Sequence, residues 1–140
     1  MYKHTINYVD FNGVERKEDH YFHLSLPEVT RIEASINVDI QEYITRLIAD
    51  NNLSTLLSFM EKIILDSYGV KSTDGRTFRK SPEARSDFEY SPAYAEFFEQ
   101  LVTTPGLANE FGEKVADNGQ KKNQVTPKVE TVPNKPSVVE

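Results

Sequence analysis

The chain has 140 residues, 38% of them hydrophobic, and a formal net charge of −6. It contains no cysteine, which excludes a disulfide scaffold and thiol-based metal or nucleophile chemistry. The acidic balance argues against duplex nucleic acid as the main partner, and no apolar run reaches the ~18 residues needed to span a bilayer.

The polar start, Met1-Tyr2-Lys3-His4-Thr5, has no hydrophobic signal core, so a soluble protein of the cytoplasm is expected. The first 24 residues predict a β-hairpin. Asn12-Gly13 is a strong two-residue turn signal, because a type I′ turn needs positive φ at both central positions. That turn places Phe11 opposite Val14, Val9 opposite Arg16, His4 opposite Tyr21 and Tyr2 opposite His23. One face then carries Tyr2, His4, Ile6, Tyr8, Tyr21 and His23. The other carries Val9, Phe11, Val14, Phe22 and Leu24. A lone two-stranded ribbon is marginal in water, so it must dock on helices or on another chain.

Ser25-Leu26-Pro27-Glu28 is a helix start, with serine as N-cap and glutamate three residues later. Leu26, Val29 and Ile32 give this helix its apolar side. Asp39 is placed to cap a second helix, in which Ile40, Tyr43, Ile44, Leu47 and Ile48 keep helical spacing until Asn51-Asn52. A third helix is predicted from about Ser54 to Tyr68, striped by Leu56, Met60, Ile63 and Ile64 and ended by Gly69 as a C′ glycine. Residues 70–80 read as a turn-rich loop around Asp74-Gly75. Ser81-Pro82, Ser91-Pro92 and Thr104-Pro105 each read as an N-cap followed by proline in the first turn. The helix after Ser91-Pro92 has the cleanest stripe, Tyr94, Phe97, Phe98, Leu101 and Val102. The last helix has Leu107, Ala108, Phe111 and Val115.

Residues 117–140 differ in kind. They contain Pro127, Pro133 and Pro136, no aromatic residue, and only valines as sizeable apolar residues. Such a stretch cannot offset the ~1–2 kcal/mol per residue that ordering a backbone costs. The expected class is therefore α+β, mainly α. An N-terminal β-hairpin and five or six helices make one domain over residues 1–116, followed by a disordered tail over 117–140.

No catalytic, cofactor or metal site is expected. His4 and His23 share a face in the hairpin register above but lack a third ligand, and half-buried His–Tyr pairs account for them. Carboxylate pairs such as Glu96 with Glu99 and Glu110 with Glu113 lie on polar helix faces. There is no glycine-rich phosphate loop and no Gly-x-Ser-x-Gly. Charge is unevenly spread. Residues 1–70 and 82–116 are acidic, whereas 71–81 carry Lys71, Arg76, Arg79 and Lys80 against Asp74. That loop reads either as a contact for an acidic partner or as a connector facing its acidic neighbours.

Protein binding is thus the favoured class. Candidate contact residues are Tyr2, Tyr8, Phe11 and Tyr21 of the hairpin, Arg76, Phe78, Arg79 and Lys80 of the basic loop, and Tyr94, Phe97, Phe98 and Leu101 of the stripe. The favoured reading of the stripe is intramolecular core, and the hairpin either pairs with another subunit or docks within the chain.

A set of blocks carries a resemblance. Tyr8-Val9-Asp10-Phe11-Asn12-Gly13 leads into Tyr21-Phe22-His23-Leu24-Ser25. Ser67-Tyr68-Gly69-Val70-Lys71-Ser72 then precedes Asp74-Gly75-Arg76-Thr77-Phe78-Arg79-Lys80-Ser81, and Ser91-Pro92-Ala93-Tyr94 opens a helix with Phe97-Phe98. From residue 1 to about 112 this order resembles the small tail assembly chaperones of long-tailed bacteriophages of Gram-positive bacteria. The resemblance implies a non-enzymatic protein that accompanies the tape measure protein and supports tail tube assembly. It implies the tape measure protein, the tail tube protein and a longer frameshifted form of the same chain as partners, with self-association. It also implies action in the host cell cytoplasm and absence from the mature virion. Lys121-Lys122-Asn123 is a candidate site for the frameshift. The alternative is a structural tail or head-tail connector subunit retained in the virion.

Overall fold

A computed structural model of the chain describes residues 1–117. The element order is β1 (Tyr2–Val9), β2 (Glu15–Phe22), α1 (Leu26–Ile36), α2 (Ile40–Ala49), α3 (Leu53–Ser67), β3 (Tyr68–Lys71), β4 (Phe78–Arg79), α4 (Pro82–Glu89), α5 (Pro92–Thr103) and α6 (Leu107–Val115). The N-terminal hairpin and six helices match the expected class. The expectation for residues 118–140 and the Lys121-Lys122-Asn123 site lie outside the described residues.

The hairpin register differs from expectation by one residue, and Asp10 is the cause. Its carboxylate accepts the backbone N–H groups of Asn12 and Val14, each at 2.9 Å. Gly13 N–H donates to the Asp10 carbonyl and Asp10 N–H to the Val14 carbonyl, both at 2.9 Å. Within this loop only Gly13 takes a left-handed φ, +81°. This is a three-residue loop, a type I turn followed by a left-handed glycine, and not a two-residue type I′ turn. The strands pair as Tyr2 with Phe22, His4 with His20, Ile6 with Glu18 and Val9 with Glu15. A one-residue slip moves a strand's whole apolar set to the other face. Phe22 therefore joins Tyr2 and Ile6 on the buried face, while Tyr21 and His23 leave the face assigned to them.

Two strands stand where a helix cap and a loop were expected. α3 stops at Ser67, and Tyr68 is already extended (φ −68°, ψ 143°). Gly69 is thus a strand residue and not a left-handed cap. It pairs with Tyr21, while Phe22 pairs with Tyr68. The Phe78 ring lies against Gly69 so closely that an added Cβ would fall 2.6 Å from it. β3 and β4 close through the Asp74-Gly75 turn, where Asp74 accepts from Ser72 Oγ at 2.7 Å and Arg76 N–H at 3.1 Å. The result is a four-stranded antiparallel sheet in the order β1-β2-β3-β4.

α5 and α6 cover the buried face of β1, and α2 and α3 complete the layer. Phe22, Phe97 and Phe111 are the largest fully buried side chains, surrounded by Ile6, Ile44, Met60 and Ile63. Three caps expected from sequence hold, and Asn52 adds a fourth that was not expected. Ser25 Oγ accepts from Glu28 N–H while Glu28 accepts from Ser25 N–H, a complete capping box. Ser81 accepts from Ala84 N–H, Ser91 from Tyr94 N–H, and Asn52 from Thr55 N–H. Two caps differ. Asp39 makes no side-chain cap bond, and Glu33 instead reaches Ile40 N–H at 3.0 Å. Thr104 is the C-cap of α5, and Gly106 stands at the N-cap of α6. Ser25→Ala is expected to cost ~1 kcal/mol in urea unfolding, and a change under ~0.3 kcal/mol would remove the capping box from the account.

Candidate functional site

The twelve candidate contact residues divide by burial. Tyr2, Phe97 and Leu101 are buried in the core. Tyr8, Tyr94 and Phe98 are half-buried and packed against the same core. Tyr8 donates to Glu18 at 2.7 Å. Burial, with Glu61 and Glu89 nearby, pushes the Tyr94 hydroxyl up to about 12, so it stays protonated. Phe11 stands at the hairpin tip, 85% exposed, between the exposed Val9 and Val14.

The basic loop is also split. The Lys71 ammonium lies 5.4 Å from the centre of the Tyr21 ring. Lys80 is held by both oxygens of Glu28, at 2.7 and 2.9 Å. Phe78 is engaged with Gly69 and, edge-on, with His23. Arg76 and Arg79 remain exposed. The connector reading thus accounts for Lys71 and Lys80, and Arg76 and Arg79 stay free to meet an acidic surface.

The histidines do not converge on a metal geometry. Tyr2 Oη and His4 Nδ1 are 3.0 Å apart, and His4 Nε2 lies 2.9 Å from Gln100 Oε1. One tautomer satisfies both: Nε2–H donates to the amide oxygen and Nδ1 accepts from the phenol. No group of three or more His, Asp or Glu that could hold a metal ion occurs among the described residues. His20 packs on Tyr68 and Phe88, and its Nδ1 is buried without a partner, as is that of His23.

Burial pushes both of these imidazoles below their ordinary range. The unfolded chain therefore takes up protons near pH 6.5 while the fold resists them until lower pH. Stability is expected to be flat above pH 6.5 and to fall as pH drops below it. Thermal unfolding at pH 7 and pH 5.5 checks this, with His20→Phe flattening the slope; a midpoint unchanged between the two pH values would contradict it.

The surface that does suit a partner was not singled out from sequence. Where the end of α2, the start of α3, the end of α5 and the start of α6 meet, they leave an open groove of about 440 Å³. Leu47, Met60 and Leu101 are buried at its floor. Ile48, Leu53 and Val102 stand at its mouth, 47%, 59% and 41% exposed. None of its lining residues is ionisable. In a chain whose surface is otherwise rich in charge, this uncharged apolar groove has the composition expected of a surface that meets a partner. A signal for it does exist in the sequence: Ile48 and Val102 each sit beside a buried residue at the edge of their stripe, where helical spacing continues past what the core can cover.

A family model described as phage tail assembly chaperone matches residues 1–136. The chain belongs to the phage tail assembly chaperone family. The match covers the hairpin, all six helices and part of the segment beyond residue 117, so it extends past the blocks that carried the resemblance. No curated protein and no solved structure matches. No helix among the described residues is long and apolar enough to cross a membrane.

Proposed function

We propose that this tail assembly chaperone is non-enzymatic and binds the tape measure protein until tail tube subunits close around it. The observation that carries this reading is the uncharged groove bounded by Ile48, Leu53 and Val102. A long helical client exposes apolar stripes, and an apolar groove between helices accepts one turn of such a stripe at a time. The exposed Phe11 at the hairpin tip, with Arg76 of the β3–β4 loop and Arg79 of β4, forms a second set of contacts for tail tube subunits or further copies of the chain. In this reading the globular unit is residues 1–116. Residues 117–140 are a separate tail, and a longer frameshifted form diverges within it. The protein acts in the host cell cytoplasm and leaves before the virion matures.

Two measurements together test this. The tagged chain is expected to co-purify with the tape measure protein from infected cells, and mass spectrometry of purified virions is expected to lack it. Stoichiometric recovery from virions would instead support a structural tail or connector subunit.

A further inference from the structure

A second groove lies between α1, the C-terminal part of α3 and the start of α4, about 640 Å³ in volume. Its character is opposite to the first. The floor is apolar, formed by Leu24, Ile32 and Leu65 beside Tyr68. Four cations line it, Arg31, Lys62, Lys80 and Arg85, against two carboxylates, Glu28 and Asp66. A local excess of positive charge is thus built into a chain of net charge −6.

The pairing shows which cations are spare. Glu28 is fully used: it closes the α1 capping box and holds Lys80 at 2.7 Å. Asp66 is shared by Lys62 and Arg85, each at 2.8 Å, so one carboxylate serves two cations. Arg31 makes no hydrogen bond or ion pair among the described residues and is exposed at the rim. One uncompensated arginine and one surplus charge at Asp66 therefore border a strip of aliphatic floor.

We propose that this groove is a docking site for an acidic protein segment, one that lays apolar side chains on Leu24, Ile32 and Leu65 and sets its flanking carboxylates against Arg31 and Arg85. The inference goes beyond the client groove, from which it differs in lining and charge. Charge complementarity selects the occupant. Carboxylates gain from Arg31 and from Arg85, whose guanidinium can offer two parallel N–H donors to one carboxylate. A nucleic acid is disfavoured, because Tyr68 is already stacked on Phe88 at 4.2 Å and is not free to stack a base.

The test is fluorescence anisotropy on the full chain with a labelled short peptide, a pair of leucines flanked by glutamates. Its glutamine and lysine counterparts and a single-stranded DNA oligonucleotide serve as competitors. The glutamate peptide is expected to bind more tightly than either counterpart, and to weaken as salt rises from about 20 to about 300 mM. Arg31→Glu is expected to weaken it about tenfold or more, Arg31→Lys far less, and Ile48→Asp not at all. Arg85→Gln adds a second, independent loss, and circular dichroism confirms that each variant is folded. Equal binding of the glutamine peptide, displacement by the oligonucleotide at matched charge, no saturation below ~1 mM, or an unchanged affinity in folded Arg31→Glu would each overturn the proposal.

Discussion

Phe22→Ala is expected to lower the stability of the fold by about 3–5 kcal/mol, the range for truncating a buried phenylalanine. Phe22 is fully buried, and its ring lies 4.9 Å from Phe97, 5.5 Å from Phe111, 5.8 Å from Phe88, 5.9 Å from Tyr68 and 6.4 Å from Tyr2. One side chain thus ties the sheet to α4, α5 and α6. Its loss consumes a large part of the ~5–15 kcal/mol that holds a typical domain together. Tyr21→Ala, one residue earlier, removes an outward ring that lies beneath the Lys71 ammonium, and about 1 kcal/mol or less is expected. The pair of variants also tests the register. With a type I′ turn at Asn12-Gly13 the two residues would exchange faces and the order of the effects would reverse. Urea unfolding of the two variants decides it.

Ile48→Asp combined with Val102→Asp is expected to leave the fold intact and to abolish client binding. Both side chains are nearly half exposed, so neither carboxylate needs burial in the free protein. Bound to an apolar stripe, each would be desolvated without a partner, at a cost of a few kcal/mol. At ~1.4 kcal/mol per tenfold, affinity falls by about a hundredfold or more. The check is the soluble fraction of the tape measure protein beside the double variant, with a circular dichroism spectrum of the variant alone. A folded double variant that solubilises the client as well as the unaltered chain does would remove the groove from the mechanism.

Much of the helical layer was legible because its signals are local. Ser25 with Glu28, Ser81-Pro82 and Ser91-Pro92 each set a boundary through a bond to a residue within three positions. The sheet was less legible because its signals conflict. Asn12-Gly13 predicts one turn, but Asp10 supplies a carboxylate that stabilises another, and a single residue of slip reassigns Phe22 and Tyr21. Gly69 satisfies the pattern of a helix-ending glycine, yet it is needed where the Phe78 ring approaches the backbone. That requirement comes from a residue nine positions later. The site was least legible. Apolar spacing in α5 does not separate Phe97, which is core, from Val102, which is not. The client groove arises only where the ends of four helices meet. The second groove depends on the contact of Lys80 with Glu28, 52 positions apart in sequence.

The central claim is that this chain keeps the tape measure protein in solution. Its most direct measurement is the soluble fraction of that protein expressed alone and together with the full 140-residue chain. The account predicts precipitation alone and a soluble complex on co-expression. Equal precipitation in both cases would contradict it.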